Sequence, residues 1–139
     1  MKRLVLLVAI VACHDDAPAP PPPPDPLLRT VPHPVPAGPY RITYACGPTQ
    51  RDSIDLRAKT RSTIANGSPA PAIANLSEPL VGMIGDATAR VLAGGPYRAE
   101  PGNCALTIET PDGAPVFTIE KAGHREHDAV SELVRVFVP

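Results

Sequence analysis

The side chains with the most chemistry in them are three cysteines, a histidine pair and an aspartate pair. Cys13, Cys46 and Cys104 are far apart in the chain, and none has a Cys or His partner at the Cys-x2-Cys spacing of a zinc site. A disulfide between Cys46 and Cys104 would close a loop of 58 residues (104 − 46) and stabilise the fold by roughly 4 kcal/mol through the entropy of the unfolded chain; two separate buried thiols are the alternative. His124 and His127 stand three apart beside Glu126 and Asp128. On a helix they would share a face and could hold a metal, but the segment is His-Arg-Glu-His rather than His-Glu-x-x-His, with no third ligand evident. A solvated helix start is the simpler account, with Glu126 and Asp128 near the positive end of the dipole. Asp52 and Asp55 are a carboxylate pair whose spacing puts them on opposite faces of a strand, with Asp52 better suited to a preceding turn. No serine lies in a Gly-x-Ser-x-Gly elbow, and Gly82 and Gly85 form neither a dinucleotide fingerprint nor a phosphate loop. These residues point to no catalytic residues, metal or cofactor, and to a protein that is not an enzyme.

Composition narrows the field further. Thirteen Lys+Arg against 14 Asp+Glu give a net charge of −1 over 139 residues, without the basic surplus that a nucleic-acid partner requires. Aromatic residues are only 4%, too few for a base-stacking platform. The 20 prolines are uneven: more than half lie in residues 14–39, including the run Pro20 to Pro24. In that stretch the bulky apolar residues are Leu27, Leu28, Val31 and Val35. Such a segment buries little and reads as an extended, polyproline-like spacer, reaching roughly 80 Å if fully stretched. As an alternative, its PxxP content could serve as a ligand for an SH3-like domain.

The first thirteen residues carry an address. Met1-Lys2-Arg3 is a positive n-region, and Leu4 to Ala12 is an unbroken apolar run. That run has the length of a signal h-region and is too short to span a bilayer as a helix, which takes about 20 residues. Twelve residues is short for a leader, which usually has about 15–30. Ile10-Val11-Ala12-Cys13 resembles the bacterial lipobox. The resemblance implies cleavage after Ala12, diacylglycerol on the Cys13 sulfur and a chain held to a membrane of the cell envelope. Cutting without lipidation would put Ile10 at −3, where a small residue is wanted. His14 rather than Asp follows the cysteine, which by resemblance to enterobacterial sorting favours the outer membrane over the periplasmic face of the inner one. With Cys13 taken by lipid, Cys46 and Cys104 remain as a pair for an oxidising periplasm. The expected organisation is therefore a signal peptide over 1–12, a lipidated, Pro-rich linker over 13–39 and a folded domain over 40–139.

Within that domain the hydrophobic pattern alternates and then changes period. Tyr40, Ile42, Tyr44 and Cys46 share one face of a strand. Ile54, Leu56 and Ala58 do the same in a second, from Ser53 to Lys59 with Ala65 as an alternative end, which leaves Arg57, Lys59 and Arg61 as an outward charged face open to solvent or an anionic partner. Asn66-Gly67 signals a turn, and Pro69 and Pro71 confine any strand over Ala70 to Ala74 to an edge. Ser77, Glu78 and Pro79 open a helix marked by Leu80, Ile84, Ala87 and Val91, and Gly94-Gly95 closes it. Gly82 and Gly85 weaken that helix, and their small size suits close approach of a sheet. Cys104 to Thr110 and Val116 to Lys121 form a hairpin around Pro111-Asp112-Gly113. From His124 onward Val130, Leu133, Val134 and Phe137 give a closing helix. The expectation is an α+β domain, a small antiparallel sheet with two helices packed on one face.

This order of elements over 40–139 resembles the emfourin-like proteins, small bacterial inhibitors of thermolysin-type metalloproteases. The similar pieces are Tyr40-Arg41-Ile42-Thr43-Tyr44, the hairpin from Leu106-Thr107-Ile108 to Phe117-Thr118-Ile119, and Leu133-Val134. The resemblance implies inhibition of a secreted metalloprotease and assigns no inhibitory residue. The lipobox resemblance, the Pro-rich spacer and the lack of a reactive constellation together point to a non-catalytic envelope lipoprotein whose domain binds a protein or another envelope component.

Overall fold

The computed structural model describes residues 17–122 and 127–138. Six strands form one antiparallel sheet in the order β5-β4-β3-β2-β7-β8. They are β2 (Arg41–Cys46), β3 (Gln50–Asp55), β4 (Thr60–Ala65), β5 (Ser68–Pro69), β7 (Cys104–Glu109) and β8 (Pro115–Glu120). A two-residue pair, β1 (Leu28–Arg29) with β6 (Tyr97–Arg98), makes a separate small sheet. The helices are α1 (Glu78–Ala93) and α2 (Ala129–Val134). The architecture is α+β, as the alternation and the helical stripes imply. No helix of the described residues is long and apolar enough to cross a membrane.

Register explains the layering. Ile42 stands opposite Ile54 on one side and Ile108 on the other, and Ile108 opposite Phe117. In the adjacent row Tyr44 faces Leu106, which faces Ile119. All of these are buried, because alternation puts every second residue of each strand on the same side. Ile84, Ala87, Val91 and Leu92 of α1 and Val130, Leu133 and Val134 of α2 complete that core. Tyr44 stacks on Phe137 with ring centroids 6.0 Å apart, and Tyr97 meets Phe117 edge-on at 5.9 Å.

Helix α1 begins where sequence places it, after Ser77, although the serine side chain makes no capping hydrogen bond. It ends at Gly94, a position that packing reserves for glycine: a Cβ there would lie 2.4 Å from the Tyr97 hydroxyl, which donates to the carbonyl of Val91 at 3.0 Å. Helix α2 covers only Ala129–Val134, opened by Asp128, whose carboxylate accepts from the backbone N–H of Ser131 at 2.7 Å.

Several expectations change. The strand read as one piece over 53–59 is two: β3 ends at Asp55 and a turn through Leu56 to Lys59 leads into β4. Asp55 causes the break by accepting from the N–H groups of Arg57 and Ala58 at 2.9 and 2.8 Å, an Asx turn that competes with continued pairing. Lys59 takes the left-handed conformation that closes it (φ 54°). The edge strand expected at 70–74 is displaced to β5, with an isolated bridge from Ile73 to Arg61 beyond it. Gly82 and Gly85 do not admit a sheet: a Cβ at either would meet nothing within 4 Å. Another concerns the spacer. Residues 17–26 are exposed, but Val31 is 2% exposed within the core, and Val35 packs against it. Leu28 and Arg29 pair with Arg98 and Tyr97, and Ala99 N–H donates to the carbonyl of Leu27 at 2.6 Å. An extended, proline-spaced chain has its backbone groups free to join a short ladder, and its few apolar residues supply the burial that holds it there.

Candidate functional site

Among the described residues, none covers the face of the sheet opposite the helices. Ser62, Ser53, Thr43, Thr107 and Thr118 stand opposite one another in sequence across five strands, a row of hydroxyls spaced by the strand separation of about 4.8 Å. They are partly satisfied within the row: Thr43 and Ser53 hydroxyls lie 2.9 Å apart, and Thr118 donates to Thr107 at 3.3 Å. Arg41 and Asp55 flank the row and are joined at 3.1 Å. Small side chains at Thr43, Ala45, Ser53, Ala105 and Thr107, between the longer Arg41, Arg51 and Glu109, leave a hollow of about 410 Å³. Its polarity suits recognition of a polar surface through hydrogen bonds. A second, more apolar groove of about 320 Å³ runs between the helices, lined by Met83, Ala87, Arg90, Glu132, Arg135 and Val136.

The two aspartates of the sequence analysis do lie on opposite faces, and no cleft joins them. Asp55, on the open face, is held below the usual carboxylate range: burial pushes it up, but the N–H of Ala58, the Arg41 guanidinium and the N–H of Arg57 outweigh that. Asp52 sits within β3, not in a turn, and lies on the helix side as the paired partner of Arg61. Arg61 is therefore not part of an outward charged face. It hydrogen-bonds Asp52, its guanidinium lies 6.0 Å from the Phe137 ring centroid, and the bond to Asp52 raises its pKa. Lys59 leaves the sheet plane to pair with Glu78, and Arg57 lies in the turn.

Cys46 and Cys104 form a disulfide between directly paired residues of β2 and β7, with Cα atoms 4.0 Å apart. Cys13, His124 and Glu126 lie outside the described residues. His127 is exposed, its Nδ1 3.4 Å from the Arg135 guanidinium. Among the described residues no group of three or more His, Cys, Asp and Glu is placed to hold a metal.

One cluster escaped sequence reasoning altogether. The Lys121 side chain is 0% exposed, and its Nζ lies 3.3 Å from Glu100 Oε1 and 3.2 Å from Asp128 Oδ2. Its backbone is tied as well, the N–H to Cys104 and the carbonyl to the Tyr44 hydroxyl at 3.0 Å. Burial alone lowers a lysine pKa, but the hydrogen bond and charge of Asp128, with those of Glu100, raise it overall. Burial likewise acts to raise Asp128, and the Ser131 hydrogen bonds with the Lys121 ammonium bring it below the usual range. The resting cluster is thus an ion pair. Its only sequence signal is a lysine ending the apolar face of β8, which by itself reads as an exposed strand end.

Comparison with known proteins adds no relative: no family model, no curated protein and no solved structure matches the chain.

Proposed function

We propose that this chain is a lipid-anchored protein of the bacterial cell envelope, and that its domain binds a partner rather than transforming a substrate. The observation that carries the reading is the cysteine arrangement. Cys46 and Cys104 are joined to each other across β2 and β7, and the remaining cysteine, Cys13, is the one that ends Ile10-Val11-Ala12-Cys13 behind a charged n-region and an apolar run. The exposed Pro-rich arm from residue 17 to 26 supports it, since such a segment suits a tether between bilayer and domain. The uncovered sheet face, with its hydroxyl row and hollow, is the surface offered to an envelope protein or another polar envelope component.

The test is expression of the full chain in a bacterium fed labelled palmitate. Label should appear on the wild type and vanish in Cys13→Ala, and the processed chain should begin at Cys13. A mature chain retaining residues 1–12 with a bare thiol would sink the assignment. The soluble Cys13→Ala form is then the bait for the partner. The protease-inhibitor reading draws support from the observed order of strands, helix, hairpin and terminal helix. It requires the same bait to slow a thermolysin-like enzyme at stoichiometric concentration, and no slowing across several such enzymes would remove it.

A further inference from the structure

The Lys121 cluster brings an amine into contact with two carboxylates, with the lysine side chain 0% exposed. We propose that Lys121 and Asp128 condense to an intramolecular amide, with Glu100 as the proton carrier. Nζ lies 3.2 Å from Asp128 Oδ2, so the amine and the carboxyl group are held in direct contact rather than brought together by diffusion. The other carboxylate oxygen, Oδ1, accepts from the backbone N–H of Ser131 at 2.7 Å, so a fixed donor already faces the atom on which negative charge develops during attack. Glu100 Oε1 lies 3.3 Å from the same Nζ, close enough to take a proton from the nitrogen and return it. The Lys121 side chain is 0% exposed, and those of Glu100 and Asp128 are 19% and 24% exposed, which leaves a path for the released water and little access for hydrolysis.

The step balances without a redox partner. One proton passing from Nζ to Oδ2 along their hydrogen bond turns the resting ion pair into the amine and carboxylic acid that react, a minor form because the partners of both groups hold them charged. The Nζ lone pair attacks Asp128 Cγ and forms the C–N bond. Glu100 takes a proton from the nitrogen and delivers it to Oδ2, the C–Oδ2 bond breaks, and water leaves. The product fastens the residue after β8 to the first residue before α2.

Peptide mapping of the reduced, full-length protein decides the matter. Trypsin should fail to cut after Lys121 and yield residues 99–125 joined to 126–135, lighter than the two fragments together by one water. Lys121→Arg keeps the charge without the nucleophile and should yield 126–135 free. Glu100→Gln should lower the joined fraction at least tenfold after equal time. Separate fragments 99–121 and 126–135 from the folded wild type would overturn the proposal whatever the variants do. Joining at the wild-type level in Glu100→Gln would overturn the role of Glu100.

Discussion

Replacing Val31 by alanine asks whether the proline-spaced arm is part of the fold or merely lies on it. Val31 is 2% exposed and belongs to the same core as Ile42, Val91 and Ile119. The substitution removes two methyl groups from that interior, worth about 0.8 kcal/mol each in transfer alone, and leaves a small cavity that adds to the loss. The expected cost is about 2 kcal/mol. Against the ordinary stability of about 5–15 kcal/mol that is a large share, and it should lower the melting temperature by about 8–16 °C in a domain near 100 residues. Leu28→Ala is the internal control. Leu28 is 43% exposed although its backbone pairs with Arg98, so truncating it should cost under about 0.5 kcal/mol. Urea denaturation followed by circular dichroism measures both, with the slope of the transition checking that the denatured state is unchanged. A Val31→Ala protein no less stable than Leu28→Ala would refute the argument, and residues 40–139 alone would then suffice as the folding unit. If the argument holds, a chain starting at residue 40 should be less stable than Val31→Ala itself, because it also loses the β1–β6 ladder and the Arg29–Glu120 and Asp25–Arg98 ion pairs.

Two further outcomes follow from single positions. Gly82→Ala in α1 should stabilise the protein by up to about 1 kcal/mol, because the new methyl meets nothing within 4 Å; a fall in melting temperature would show that something packs on this helix. Asp55 has a folded-state pKa below that of an ordinary aspartate, so the stability it contributes is fully present above about pH 4 and is lost as pH falls through the lower folded value. Asp55→Asn should therefore flatten the acid limb of the stability profile, and an unchanged slope below about pH 4 would show that its Arg41, Arg57 and Ala58 partners carry no weight.

What could be read from sequence follows from how local each determinant is. The Cys104–Glu120 hairpin and α1 announce themselves, one by period-2 alternation around Pro-Asp-Gly, the other by Leu80, Ile84, Ala87 and Val91 between a serine and two glycines. The turn at Leu56–Lys59 hides because Ile54, Leu56 and Ala58 continue the alternation straight through it, with no Gly or Pro to mark the reversal. Asp55, whose carboxylate caps the turn, was the available clue. Arg61 misleads for the opposite reason: it follows the outward charges in sequence, but after the turn its strand presents it to the helix side, where Asp52 and Phe137 receive it. Proline density in residues 14–39 conceals Val31, since composition averages over a segment while burial is decided one side chain at a time. Lys121 is the extreme case, since its partners Glu100 and Asp128 arrive from different elements and only the assembled fold makes them neighbours.

The attachment of the arm decides how the domain responds to mechanical load. Tension arriving from the N-terminal side meets the two-residue β1–β6 ladder first, together with the Asp25–Arg98 pair, whereas β2 lies in the middle of the six-stranded sheet, bonded on both sides. Short ladders unzip before long ones. The stretch from residue 28 to residue 40 would then pay out as slack, roughly 40 Å of it at full extension, before strain reaches the central strand, so the same segment that completes the interior at rest can serve as a shock absorber under pull.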